Sequence, residues 1–249
     1  MHNKLPFSTA EEVLEGQVLV FDKPLTWTSF DVVNKVRYTF KNVFGLKKVK
    51  VGHAGTLDPL ATGVLILCTG RKTKTIEAFQ AKEKTYTGTI RLGVTTPSFD
   101  AETEVDFKGD AQAISSLKFE EISKAAETLT GDLDQMPPQF SAKKVDGVVA
   151  YNAARKGKTV NLQPKAVQVF SFKVGDIEKV DLSGHPVVDV KFEITCSKGT
   201  YIRALARDLG KALDVGGTLT ELRRTQSGSF VVENAYDLQE FISSVKSLA

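Results

Sequence analysis

The sequence has little of several residue types that mark particular protein classes. Its 249 residues include only two cysteines, one tryptophan and three histidines. Cys68 and Cys196 lie far apart in apolar stretches, so we expect reduced core residues rather than a disulfide framework. The histidines, at positions 2, 53 and 185, have no metal-ligand spacing, and the sequence therefore predicts no metal site.

Long apolar segments and a strong excess of one charge are also missing. An apolar run at residues 64–68 is far too short to cross a bilayer. Residues 1–17 lack the basic start and apolar stretch of a secretory signal, so we expect a cytoplasmic protein without a membrane partner. A net charge of +3 does not by itself indicate a nucleic-acid partner.

Positive charge is nevertheless gathered into short clusters, most of them next to glycine-containing turns. Loops of this kind suit phosphate contacts, although solvated surface charge is the simpler explanation for any single cluster. The clusters are Lys47-Lys48-Lys50, Arg71-Lys72-Lys74, Lys82-Lys84, Lys143-Lys144, Arg155-Lys156-Lys158 and Arg223-Arg224.

Hydrophobic periodicity predicts several strands with a few helices between them. Alternating or continuous apolar residues predict strands at 17–21, 64–68, 85–94 and 188–196. Helical spacing predicts a helix that begins after Thr28, with Asp31 completing a capping box, and further helices near 119–129 and 202–213. Because strands and helices do not alternate regularly, the pattern favours an α+β fold around a largely antiparallel sheet.

One stretch, GHAGTLDPLATG at residues 52–63, has the composition of a shaped loop. Glycine and proline disfavour both a helix and a central strand there. The following glycines and Arg71 do not have P-loop spacing, and no serine or cysteine lies in a nucleophile context. What remains is a lone carboxylate, Asp58, which Pro59 biases toward an extended backbone. Local sequence alone favours a turn-forming role for Asp58, and it allows His53 to be a satisfied buried histidine.

Several motifs, in order along the chain, resemble those of the TruB branch of the pseudouridine synthases, which isomerise a uridine in the T arm of tRNA. The motifs are VFDKPLTWTSFDVVNKVR, GHAGTLDPLATGVLILCTGRKTK, KTYTGTIRLGVTTPSFDAE, QMPPQFSAKKVDGVVAYNAARKGKTV, CSKGTYIRALARDLG and LRRTQSGSF. The resemblance covers nearly the whole chain. It implies the pseudouridine-synthase fold, a mostly antiparallel mixed sheet flanked by helices.

The resemblance also implies roles for five residues around the target base. Asp58 corresponds to the family's essential aspartate, and Arg203 to the arginine that pairs with it. Tyr86 corresponds to a tyrosine that stacks on the flipped uracil. Tyr201 would line the same pocket. Lys23 corresponds to a lysine near the site, either structural or in contact with RNA.

For RNA binding, the resemblance implies that His53 enters the T loop and occupies space left by flipped nucleotides. An insertion at about residues 134–165 would close on the RNA, in keeping with its prolines, basic residues and lack of periodicity. Its phosphate-binding candidates are Lys143, Lys144, Arg155, Lys156 and Lys158. We expect a single catalytic domain over residues 1–249, without a full C-terminal PUA-like domain.

The sequence therefore predicts a monomeric tRNA pseudouridine synthase acting on uridine 55. Because the isomerisation involves no redox step and no group transfer, we expect no cofactor. We also expect no guide RNA, because guide-dependent members of the superfamily usually carry a C-terminal RNA-binding domain and basic extensions that this sequence lacks. Two alternatives remain open: a guide-dependent member of the same superfamily, and an RNA chaperone that folds the tRNA elbow.

Overall fold

The computed structural model describes residues 4–145 and 147–248, so His2, Asp146 and Ala249 lie outside the described residues. The chain folds into two compact units. The first unit comprises Met1–Thr85 and Arg223–Ala249, and the second comprises Tyr86–Leu222. The expectation of one catalytic domain stays a prediction.

The helices and strands follow one another along the chain without regular alternation. The first unit begins with α1 (Ala10–Glu15), β1 (Val18–Lys23), α2 (Ser29–Val43), β2 (Val51–Ala54), β3 (Ala61–Thr69) and α3 (Ile76–Gln80). Next come β4 (Lys84–Leu92), β5 (Val94–Thr95), β6 (Phe107–Lys108), α4 (Ala111–Ser116), α5 (Phe119–Glu127) and β7 (Gly131–Gln135). The remainder is β8 (Lys144–Val145), β9 (Val148–Val149), α6 (Ala150–Ala154), β10 (Lys165–Asp181), β11 (Pro186–Cys196), α7 (Ile202–Ala212), β12 (Gly217–Ser227), β13 (Phe230–Val231) and α8 (Leu238–Lys246).

In the first unit, β3 lies between β1 and the end of β12, and β2 also pairs with β3. The pairs of β1 and of β2 with β3 are antiparallel, and β1 ends with Lys23 opposite Gly63. β3 is buried along nearly its whole length, which explains why its sequence is continuously apolar rather than alternating. The predicted strand at 64–68 is thus confirmed, and it is longer than predicted.

Helix α2 packs one apolar face into the core of the first unit. Its capping box is confirmed, because Thr28 caps the helix and Asp31 bonds back to the Thr28 backbone. Its buried residues meet an aromatic cluster in which the Phe21 and Phe241 ring centroids lie 4.8 Å apart. Phe241 belongs to α8, a helix that the sequence analysis missed although Asp237 caps an apolar face of 3.6-residue period.

In the second unit, the strand order is β12, β4, β11, β10 and β7. The long strands β10 and β11 form an antiparallel pair, and β7 pairs with the beginning of β10. Gln135 and Lys165 are register partners at the end of this last ladder. The predicted insertion therefore leaves and re-enters the sheet at adjacent positions, and it contains the β8–β9 pair and the short helix α6.

These elements confirm the α+β class with mainly antiparallel pairing. The loop predicted over residues 52–63 is shorter, however. Gly52 and His53 belong to β2, and residues 61–63 already belong to β3, so the loop itself covers residues 55–60. The glycines and the proline predicted a loop over the whole stretch, but Gly52 and His53 form a strand because pairing with β3 provides their backbone hydrogen bonds.

Both cysteines are free and buried, as predicted. Within the described ranges, no helix is long and apolar enough to span a membrane.

Candidate active site

Asp58 lies half-buried on the loop between β2 and β3. A tight turn places it there, since the Ala61 amide donates to the Asp58 carbonyl at 3.0 Å. The residue before it, Leu57, is buried, and the residue after it is Pro59. The loop thus presents one carboxylate from a backbone that is anchored on both sides.

Lys23 provides the anchor on the C-terminal side of Asp58. Its side chain is fully buried, with 0% exposure, and its Nζ donates to three backbone carbonyls. These are the carbonyls of Trp27 at 2.6 Å, Pro24 at 2.8 Å and Pro59 at 3.3 Å. The Thr26 amide also donates to the Pro59 carbonyl, at 2.9 Å. Of the two roles that the sequence left open for Lys23, this geometry favours the structural one.

Burial lowers the pKa of Lys23 to about 8, because the protein interior disfavours the ammonium ion. The negative charge of Asp58 is the largest influence in the opposite direction, and it holds the pKa of Lys23 higher than burial alone would. The positive charge of Arg224 lowers that pKa further. Lys23 and Asp58 are therefore electrostatically coupled as well as joined through the backbone.

Ser29 anchors the N-terminal side of Asp58. Its buried hydroxyl accepts a hydrogen bond from the Leu57 amide at 2.9 Å and donates to the Leu57 carbonyl at 3.1 Å. Ser29 is the first residue of α2, so the start of this helix fixes the backbone immediately before Asp58. No local sequence pattern indicates this contact between Ser29 and Leu57, because the two residues are 28 positions apart.

Arg224 is the buried residue near this loop that the sequence analysis missed most clearly. Its side chain is 1% exposed, and it donates to the carbonyls of Val64 at 2.7 Å and Gly55 at 3.0 Å. Solvated surface charge and phosphate contact both require an exposed side chain, so the burial of Arg224 fits neither of the interpretations given to the basic clusters. The available signal was strand alternation, because two adjacent residues of a strand point to opposite faces. Arg223 pairs with Asp22, at 2.6 Å.

His53 lies on β2 and is half-buried. Burial lowers the pKa of His53, and the nearby positive charge of Arg224 lowers it further. Its Nδ1 atom is buried without a hydrogen-bond partner among the described residues. The alternative of a fully satisfied buried histidine thus does not describe this side chain.

In the second unit, Arg203 lies near the beginning of α7 and is 5% exposed. Its guanidinium donates to the carbonyls of Ser98 at 3.0 Å and Phe140 at 2.8 Å. Its Nε also lies 3.5 Å from a carboxylate oxygen of the buried Asp100. Arg203 thereby joins the start of the insertion to residues 98–100. The pairing of Arg203 with Asp58 stays a prediction.

The two predicted tyrosines occupy different positions in the second unit. Tyr86 lies on β4 with 8% exposure. Tyr201 precedes α7, and its backbone is held by Gln135, whose amide group bonds both the Tyr201 amide and carbonyl at 2.8 and 3.1 Å. The end of β7 therefore positions the start of α7. Stacking of Tyr86 on a base remains a prediction.

The basic residues of the insertion are mostly at its surface. Lys144, Lys156 and Lys158 are exposed. Lys143 donates to the Gln163 carbonyl at 3.0 Å. Arg155 forms an ion pair with Glu102 at 2.6 Å and lies over the Tyr151 ring, 5.4 Å from its centroid. Arg155 therefore already has an anionic partner in the structure.

Two family models match consecutive parts of the chain. The N-terminal domain of the TruB family pseudouridylate synthases matches residues 41–202, and the C-terminal domain of tRNA pseudouridylate synthase B matches residues 203–247. A relative from Phocaeicola vulgatus, named tRNA pseudouridine synthase B, is 49% identical over 227 residues, or 91% of this chain and 92% of the relative. A Flavobacterium johnsoniae protein of the same name is 46% identical over 96% of this chain and its own full length.

Two solved structures each contain a chain of similar fold. A chain of a Cbf5–Nop10–Gar1 complex superposes with a TM-score of 0.64 at 27% identity over 93% of this chain. A chain of an H/ACA ribonucleoprotein bound to a substrate RNA gives a TM-score of 0.63 at 25% identity. The present chain spans about half the length of these proteins, 54% and 53% respectively. Its sequence, fold and family matches together show that the chain belongs to the TruB family of pseudouridylate synthases and is, as predicted, an isomerase.

Proposed function

We propose that this protein converts uridine 55 in the T loop of tRNA to pseudouridine, with Asp58 as the essential carboxylate. The observation that carries the proposal is the placement of Asp58. Buried Lys23, Ser29 and Arg224 hold the loop backbone around it, while its own side chain is half-buried. Support for tRNA as substrate comes from the relatives of 46–49% identity that are named tRNA pseudouridine synthase B.

The reaction breaks the bond between N1 of uracil and C1′ of ribose and joins C1′ to C5 of the same base. Atoms and electrons balance within the nucleotide, since the C5 proton is exchanged for a proton on N1. A fixed carboxylate suits this chemistry, because preorganised groups lose little orientational freedom when the reacting atoms meet. The loop anchors contribute by holding Asp58 in place before the RNA arrives.

The remaining roles concern the RNA. Tyr86 stacks on the everted uracil, and Tyr201 and Arg203 line the same pocket, compensating the few kcal/mol that base flipping costs. His53 enters the T loop, and the exposed cations of the insertion contact phosphates. The protein acts as a cytoplasmic monomer without guide RNA.

The test compares wild-type protein with Asp58→Asn on an unmodified T-arm transcript, with no other RNA present. We expect wild-type protein to form pseudouridine at position 55, and Asp58→Asn to bind the transcript with similar affinity but form none. A matched control is Asp176→Asn, which removes an exposed carboxylate from β10. Pseudouridine is detected by base-specific chemical modification and primer extension.

Two results would favour the alternatives. If wild-type protein is inactive on the transcript alone and active with an added guide RNA, the protein is guide-dependent. If Asp58→Asn retains full activity in a tRNA-folding assay and wild-type protein forms no pseudouridine, the chaperone alternative is correct. Either result would overturn the proposal.

A further inference from the structure

The solvent-facing side of α2 carries an unusual combination of side chains. The opposite face of this helix is buried and apolar, so the outer face is expected to be polar. It instead presents two exposed aromatic residues, Phe30 at 59% and Tyr38 at 65% exposure. Cationic and amide side chains lie between and beyond them on one helical stripe. We call this set the α2 stripe: Phe30, Asn34, Arg37, Tyr38 and Lys41.

Contacts within the α2 stripe order its side chains around the guanidinium of Arg37. The Arg37 guanidinium lies over the Phe30 ring, 5.9 Å from its centroid, and donates a hydrogen bond to the Asn34 side chain. The Arg37 side chain, which begins next to Tyr38 in the sequence, thus extends along the helix to Phe30. A guanidinium held in this way presents a planar face on which a base can stack.

An open cavity of about 480 Å³, a depression in the surface rather than an enclosed pocket, adjoins the stripe. Its lining combines an aromatic ring, an amide, a cation and the turn that precedes the helix. The lining residues are Thr26, Trp27, Asp31, Asn34, Lys35 and Tyr38.

The charges of this surface favour an anionic occupant. Lys35, Arg37 and Lys41 supply three positive charges on α2, and Asp31 supplies the single negative charge. The Asp31 carboxylate is engaged by the backbone and hydroxyl of Thr28, at 2.9 and 2.6 Å. Aromatic rings interleaved with cations are the usual means of binding unpaired RNA, because rings stack on bases while cations contact phosphates.

The floor of the cavity is connected to the loop that carries Asp58. The Thr26 amide donates to the Pro59 carbonyl at 2.9 Å. The Lys23 ammonium joins the carbonyls of Trp27 and Pro59. Thr26 has a φ of +70°, a conformation that is unfavourable for a β-branched residue and that is maintained by its surroundings. A ligand in the cavity would therefore rest on the same backbone that positions Asp58.

We propose that the α2 stripe and its cavity form a binding site for an unpaired RNA nucleotide other than the target uridine. The base stacks on Tyr38 within the cavity, and Lys35 and Lys41 contact the flanking phosphates. The proposal rests on the proposed function only in taking the nucleotide to belong to the same RNA that Asp58 modifies.

The test measures RNA affinity for Tyr38→Ala, Tyr38→Phe and Lys41→Gln by fluorescence anisotropy with a labelled full-length tRNA transcript. We expect Tyr38→Ala to raise Kd by about 5- to 20-fold, and KM for pseudouridine formation by a similar factor. Tyr38→Phe retains the ring and stays within about twofold of wild type, whereas Lys41→Gln weakens binding and reduces its salt dependence. The matched control is Phe119→Ala, which removes an exposed helical aromatic outside the stripe.

Crosslinking identifies the nucleotide. Transcripts that carry 4-thiouridine at single unpaired positions should crosslink to α2, and the crosslink should be lost in Tyr38→Ala. An unchanged Kd for Tyr38→Ala, or an equal effect of Phe119→Ala, would overturn the site. A wild-type dimer that Tyr38→Ala dissociates in sedimentation would instead assign the stripe to self-association. Because binding and crosslinking need no turnover, an inactive wild-type protein would count against the proposed function alone.

Discussion

The Lys23 ammonium lies 3.3 Å from the carbonyl of Pro59, so a fully buried cation is fixed to the residue that follows Asp58. A buried lysine is costly unless its charge is compensated. Here three carbonyl oxygens and the charge of Asp58 provide that compensation. The pKa of Lys23 therefore depends on the charge of Asp58, and a titration of Lys23 tests this dependence directly.

We expect Asp58→Asn to lower the pKa of Lys23 below its wild-type value of about 8. Asp58 is the largest influence that raises this pKa, so its neutralisation leaves the effect of burial less opposed. The measurement is the pH dependence of the lysine ¹³Cε chemical shift, with the signal assigned from its loss in Lys23→Met. The exposed-carboxylate control Asp176→Asn should leave the pKa unchanged. An equal or higher pKa in Asp58→Asn would disprove the coupling.

The same pKa predicts how stability depends on pH. Between about pH 8 and 10.5, Lys23 has lost its proton in the folded protein but retains it in the unfolded chain. The unfolded state then binds more protons, so the free energy of unfolding contributed by this group rises with pH in that window. Between pH 8 and 10.5, the free energy of unfolding of the wild type should therefore rise by at most about 3 kcal/mol relative to that of Lys23→Met. Urea unfolding at several pH values measures the difference, and a constant difference would contradict the prediction.

Gly63 should tolerate no side chain. Its φ is +101°, and a methyl group at this position would overlap the backbone carbonyl of Arg224. Gly131 has the same φ of +101° but open space where a methyl group would lie. We expect Gly131→Ala to cost about 1 kcal/mol through backbone strain alone. Gly63→Ala should cost at least about 3 kcal/mol, or prevent folding, because backbone cannot move aside easily. Equal costs in denaturant unfolding would show that the close approach is unimportant.

Glu102 should compete with RNA for Arg155. The two side chains form an ion pair at 2.6 Å, and both are substantially exposed. We expect Glu102→Gln to lower the Kd for tRNA by about two- to fivefold at low salt and to steepen the salt dependence by about one charge. Glu104→Gln, which neutralises an exposed carboxylate two residues away, is the control. If both variants bind equally tightly, general charge rather than release of Arg155 explains the effect.

Several features of the molecule could be predicted from local patterns. Thr28 and Asp31 predicted the start of α2, and the alternation of residues 188–196 predicted β11, because each signal depends on neighbours along the chain. The composition around Asp58 predicted a loop, but it overestimated the length, since pairing with β3 recruits Gly52 and His53 into a strand. The family motifs, rather than these local patterns, identified the reaction class as pseudouridine formation.

The sequence by itself determined the family, the α+β class, four of the strands and three of the helices, and the aspartate that the loop presents. Only the tertiary structure decided what holds that loop. Ser29, Lys23 and Arg224 lie 28, 36 and 169 residues from the loop residues they bond. Hydrophobic periodicity and turn propensity act over a few residues, so they contain no information about such contacts. Burial is the physical reason that Lys23 and Arg224 donate to backbone carbonyls of the loop and its neighbours, because a buried cation must be compensated by hydrogen-bond acceptors.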